Sequence, residues 1–411
     1  MPRKTAYEIL NDVMTHQAYA SLSMKKMNHL KPNDMALVST LVYGVLRNWD
    51  LLKLQWMPYV TKKTSKKIEV LLNMAVYQIH FLDRIPEYAI LNSTVDLASK
   101  HEKGFVNAVL RKCVSASLVK SEESDLVKRT SVNCSVPVWI LNLWKKQYGE
   151  DVMVKIAEST LRSSSTTGRL NPIKCTKEEL MCDDKVSMID DLAFEYDGNL
   201  IQSEWFKSGK VIVQDYSSQK AARLVDVQDD DVVLDCCSAP GGKTTLMAAL
   251  MHNTGKVIAC DLYDNRLALV NKACERLGIT NIETKAMDST KAHEVFQSET
   301  FDRMLLDVPC SGLGTLSQKP EIAFTMTPEG LDEIASIQKQ ILDSCAGLLK
   351  EGGVMVYSTC TLNQKENSRQ VKAFVERHPE YELISEETRF PFEGNWDGFY
   401  MAKLLKKKIK C

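Results

Sequence analysis

The sequence predicts a multidomain α and α/β protein: an all-α bundle over 1–125, a small α+β linking domain over 131–205, and an open α/β domain over 206–411. Three observations lead there. Apolar residues from 1 to about 118 recur at helical spacing with no strand-like alternation. From about 210 onward, short apolar runs alternate with helical segments, as a parallel sheet covered on both faces requires. Several of those runs end in an acid or run into a cysteine, the pattern expected where strand ends form a site.

In the front third, Ile68, Leu71, Leu72, Ala75, Ile79 and Leu82 form one apolar stripe. An earlier helix is expected to open at Asn33 as its N-cap and to run through Val38, Leu41, Val42, Val45, Leu46 and Trp49. Ile85-Pro86 ends a helix, further helices are expected over 88–100 and 105–117, and a polar linker follows near 119–130. Residues 131–205 mix helices near 137–148 and 150–162 with short strands. Within them, Arg169, Asn171 and Lys174 lie along an extended segment expected to contact an RNA backbone.

Composition narrows the function. The net charge is −1, but residues 1–130 hold 19 Lys/Arg against 12 Asp/Glu, a basic front suited to nucleic acid. Twelve cysteines occur without a C-x-x-C pair, which argues against a zinc ribbon, and no metal is expected. No stretch is apolar and long enough to cross a bilayer, and free thiols point to a reducing cytoplasm.

The first strand of the α/β part is read as Val232–Asp235, followed by Cys236-Cys237-Ser238-Ala239-Pro240-Gly241-Gly242-Lys243-Thr244 and a helix. Paired glycines let backbone approach a ligand closely. A phosphate loop is excluded, because its first glycine would fall at Cys237 and a proline occupies 240. A second strand ends at Asp261, 20 residues past Gly241, where a ribose hydroxyl would be met. Asp288 ends a third segment and is placed toward a base. A fourth strand ends at Asp307, just before Pro309-Cys310, and a fifth runs into Ser358-Thr359-Cys360. If the fourth and fifth strands are parallel neighbours, both thiols meet at one sheet edge, one to attack covalently and the other to help resolve the adduct. Asn363 and Glu366 read as a capping box, which would put Cys360 just ahead of a helix N-terminus.

Two resemblances sharpen these readings. Asp34, Gly44, Asn48, Ile85-Pro86, Asn92 and the run Phe105–Lys112 resemble the NusB-like RNA-binding domain, which implies RNA contact by the front bundle, with Arg111 and Lys112 as candidates. The segments Cys237–Lys243, Asp307–Gly312 and Ser358–Cys360, flanked by Gln214–Gln219 and Asp397–Tyr400, resemble the Fmu/Sun/NOL1-NOP2 family of RNA cytosine-5 methyltransferases. That resemblance implies a Rossmann-like class I methyltransferase domain and S-adenosylmethionine, held by Cys237, Ser238, Ala239, Pro240, Gly241, Gly242, Lys243, Asp261, Asp288 and Asp307. It further implies 16S rRNA, free or in an early assembly intermediate, as the partner of a cytoplasmic monomer. Cys360 would attack carbon 6 of cytosine, Asp307 would stabilise charge at ring nitrogen 3, and Cys310 would assist release. Two alternatives stay open: a tRNA substrate, and a non-catalytic assembly factor. Ser317-Gln318 stands where relatives carry basic residues, so the front bundle and the 169–174 segment are expected to carry more of the RNA affinity.

Overall fold

A computed structural model describes residues 2–24, 27, 30–162 and 166–408. The chain divides into two compact units. One comprises residues up to 163 together with 315–326; the other comprises 164–314 and 327–411. The boundary thus differs from the sequence reading, since Val138–Tyr148 and Glu150–Ser159 are helices of the first unit rather than part of a linking domain.

The first unit is helical. Helix Lys66–Phe81 is buried on nearly all sides, and its Asn73 ties both ends of helix Trp49–Trp56 by accepting from Trp56 Nε1 (2.7 Å) and donating to the carbonyl of Trp49 (3.2 Å). Gly44 sits on helix Pro32–Arg47, where a Cβ would fall 2.1 Å from the Tyr77 ring, so only glycine permits this approach. That helix is capped by Lys31 rather than by Asn33. Pro32 takes the first helical position, for which its fixed φ and missing N–H are suited. Residues 315–326 pack with this unit: Phe324 meets Trp49 edge-on at 6.1 Å, and Arg47 Nε donates to the Ser317 carbonyl at 2.6 Å.

The second unit holds two sheets. The smaller is antiparallel, with strands β1 (Thr166–Leu170), β2 (Val186–Met188), β3 (Ala193–Tyr196) and β4 (Val211–Val213) in the order β2-β3-β1-β4. The larger comprises β5 (Val232–Asp235), β6 (Lys256–Asp261), β7 (Ile282–Ala286), β8 (Phe301–Asp307), β9 (Leu349–Thr359), β10 (Tyr381–Arg389) and β11 (Phe399–Lys406). Its order is β10-β11-β9-β8-β5-β6-β7, parallel from β5 to β9, with an antiparallel hairpin at one edge. Alternate residues of the central strands bury on opposite faces: Leu234, Met304, Leu306, Met355 and Tyr357 on one, Val233, Leu305, Val354 and Val356 on the other. The chain runs outward through β6 and β7, then returns to β8 on the far side of β5. The crevice at that reversal is where ligands bind in folds of this kind.

Candidate active site

The β8–β9 pairing brings the two cysteine motifs together. In register, Asp307 lies opposite Ser358, and the loops that follow carry Cys310 and Cys360 with their sulfurs 3.3 Å apart. The partner thiol, then burial, raise the Cys310 pKa well above the ordinary thiol value, so Cys310 keeps its proton. Asp307 accepts from Ser358 Oγ (2.8 Å) through one oxygen and from Lys243 Nζ (2.7 Å) through the other. Burial works against the Lys243 charge, yet Asp307, and after it Cys360 and Asp235, outweigh burial and raise its pKa. The site therefore holds a permanent cation coupled to the Cys360 sulfur. From the sequence, Lys243 could meet the cofactor carboxylate or lie near the reacting base; its amine is bonded to Asp307.

The cofactor loop follows β5. Gly241 adopts φ +101°, a conformation that L side chains rarely take, and a Cβ there would crowd Val270 at 3.2 Å. Thr244 Oγ donates to Asp235 (2.7 Å), which is fully buried and raised to about 7, chiefly by burial. Asp261 is 3% exposed, accepting the Ala239 amide at 3.3 Å and Arg266 Nη1 at 3.1 Å; Arg266 also donates to the Ala239 carbonyl. Sequence reasoning missed Arg266, although its place on the first turn of a helix after β6 is a usable signal. Asp288 accepts from the amide and hydroxyl of Thr290, and the hydroxyl bond heads the causes that lower its pKa. Beside these acids opens a cavity of about 240 Å3, its lining including Cys237, Asp261, Met287, Asp288 and Pro309.

The RNA-facing expectation is corrected for Arg169 and Asn171. Arg169 is 1% exposed and donates to the Gly242 carbonyl and Thr245 Oγ. Asn171 is equally buried and bridges the carbonyls of Gly209 and Leu277. Lys174 is exposed but spends its amine on the Arg276 carbonyl at 2.8 Å. These residues fasten the small sheet beneath the cofactor loop. Arg111 and Lys112 are exposed on helix Lys103–Val114. The helix expected at Asn363 begins instead at Ser368, so Cys360 stands in a loop and does not lead directly into a helix.

Comparison with known proteins decides the family. A Bacillus subtilis protein described as "Probable ribosomal RNA small subunit methyltransferase B" is 36% identical, with 98% of each chain covered. The chain belongs to this methyltransferase family. A Vibrio cholerae relative, "Ribosomal RNA small subunit methyltransferase B", is 32% identical over 92% of this chain and 91% of its own. The family model "16S rRNA methyltransferase RsmB/F" matches residues 222–405, and that of the NusB family matches 1–115. The crystal structure of PH0851 shares the fold, with a TM-score of 0.81, 24% identity and 99% of each chain covered. NSun6 from Pyrococcus horikoshii with SFG gives 0.61 at 21% identity, covering 66% of this chain and 98% of that one. As a methyltransferase of this family, the protein uses S-adenosylmethionine. Its residues fit such a cofactor: a buried acid at the end of β6, a left-handed glycine turn, and a cavity lined by Asp261, Asp288 and Pro309.

Proposed function

We propose that the protein methylates carbon 5 of a cytidine in 16S rRNA, at the position numbered 967, through a covalent adduct to Cys360. The carrying observation is the pair of thiols 3.3 Å apart beside the Lys243–Asp307 ion pair. In this reading the loop 237–242, Asp261 and Asp288 hold S-adenosylmethionine, which supplies an electrophilic methyl group. The names of the relatives support rRNA as substrate.

Carbon 5 of cytosine is weakly nucleophilic. The Cys360 thiolate adds to carbon 6, forming a C–S bond and opening the 5,6 double bond toward carbon 5. The Lys243 ammonium stabilises that thiolate and the negative charge that spreads over the ring as it adds; Asp307 and Ser358 fix the amine in place. After carbon 5 is methylated, its proton leaves to water and the C–S electron pair returns to sulfur as the double bond re-forms. Cys310, holding its proton, donates a hydrogen bond to the departing Cys360 thiolate. A stacked base cannot present carbon 6 to a thiol, so the target must be flipped or lie in a loop.

Bisulfite sequencing of rRNA and tRNA with and without the gene tests the substrate; an unchanged 5-methylcytidine in 16S rRNA would refute it. Cys360→Ala should lower methyl transfer by at least about 10³-fold and give no adduct. Cys310→Ala should accumulate a protein–RNA adduct on a denaturing gel. An adduct formed through Cys310 in the Cys360 variant would reverse the roles.

A further inference from the structure

Glu366 has no part in the chemistry above, yet it is fully buried and receives four hydrogen bonds. One oxygen accepts from Ser311 Oγ (2.6 Å) and Asn363 Nδ2 (2.9 Å). The other accepts from the Ser311 amide (2.8 Å) and Gln338 Nε2 (3.1 Å). Four donors fill the four lone-pair positions of one carboxylate. Gln338 donates also to the Pro309 carbonyl at 2.9 Å, so the backbone on both sides of Cys310 is fastened to this pair. Ser311 Oγ lies 2.7 Å from Thr361 Oγ, next to Cys360. With the serine proton committed to Glu366, the threonine hydroxyl is the donor of that contact. A single carboxylate thus joins the loop after β8 to the loop after β9 from beneath.

We propose that Glu366 is a positioning residue that sets the separation of the two thiols, and that its loss uncouples adduct formation from adduct release. The inference rests on the reading of Cys360 as nucleophile and Cys310 as release partner. The asymmetry of the bonds gives it content. Cys310 is gripped on both sides by the Glu366–Gln338 pair, whereas the Cys360 carbonyl accepts from the Gly314 amide at 3.1 Å, a bond that does not involve Glu366. Loosening Glu366 therefore displaces Cys310 more than Cys360.

The test uses the full chain with an rRNA fragment. Glu366→Gln keeps the volume but turns an NH2 group toward two donors, breaking one side of the array. Expected are a kcat lowered tens of fold, a KM for RNA changed by less than about two-fold, and a trapped adduct although Cys310 is present. In a Cys310→Ala background, the second change should alter adduct lifetime by less than about two-fold. Wild-type turnover without adduct in the Glu366 variant, while Cys310→Ala does trap one, would overturn the inference alone. If Cys310→Ala traps nothing, the thiol assignment fails and the inference falls with it. Should Glu366→Gln not fold by thermal unfolding, Ser311→Ala decides, because it removes the hydroxyl that links Glu366 to Thr361 and keeps the Ser311 amide bond to the carboxylate; it should trap adduct, and normal release would count against the proposal.

Discussion

The two sides of the crevice are built differently. On the β5–β7 side, the acids proposed to meet the cofactor are held largely by neighbours close in sequence: Asp261 by Arg266, Asp288 by Thr290. On the β8–β9 side, the partners come from far along the chain: Lys243 to Asp307, Ser311 to Glu366, Cys310 to Cys360. Locally held acids keep their geometry whatever the rest of the sheet does. The thiol side exists only once β8 and β9 have paired, so single changes there should cost more activity than single changes on the cofactor side.

The largest test of that contrast is Lys243→Met. It removes the cation facing both Asp307 and Cys360 while keeping a long apolar side chain. Methyl transfer should fall about 10²- to 10³-fold, the size of losing one preorganised electrostatic contact. Binding of S-adenosylmethionine, measured by calorimetry, should change little. A loss of cofactor binding matching the loss of rate would return Lys243 to the cofactor side and blur the distinction.

The same contrast explains what the sequence disclosed. Buried parallel strands are apolar runs, and Asp235, Asp261 and Asp307 ended them visibly; the thiol pairing needed only that β8 and β9 be neighbours, which they are. Asn363 and Glu366 do bond to each other, but the spacing looks alike whether the remaining donors are helix amides or side chains 28 and 55 residues away. Arg169 and Asn171 looked solvent-facing because polar residues on an extended segment usually are. β1 lies between β3 and β4, and its polar groups meet carbonyls on distant elements. Residues 315–326 follow the Cys310 loop in sequence yet pack with the helical unit, which no local pattern shows. A catalytic fragment cut at 206 would strip Arg47 from Ser317 and Trp49 from Phe324, so activity should be measured on the full chain.

A smaller effect is expected from Asp261→Asn. The amide can still accept from the Ala239 amide but loses the charge that holds Arg266. The KM for S-adenosylmethionine should rise about ten-fold, as for one charge-assisted hydrogen bond, with kcat nearly kept. A collapse of kcat at saturating cofactor would show that the two sides are not separable.

Asp235 stands between the sides, at the end of β5 with Thr244 on one oxygen and the Asp307 charge adding to the effect of burial. Its pKa is raised to about 7 from 3.8. An acid that holds its proton more firmly when folded contributes fully below the unfolded value, and that contribution drains as pH rises from about 4 to about 7. Three pKa units correspond to about 4 kcal/mol at most. Asp235→Asn keeps an acceptor for Thr244 and has no proton to lose. Its melting temperature should therefore gain on the wild type between pH 5 and pH 8, and most of the gain should be complete by pH 7. Parallel curves for the two proteins would mean that Asp235 is ionised throughout. The crevice would then hold a second buried anion within reach of Lys243, and that lysine would serve the cofactor side and the thiol side alike.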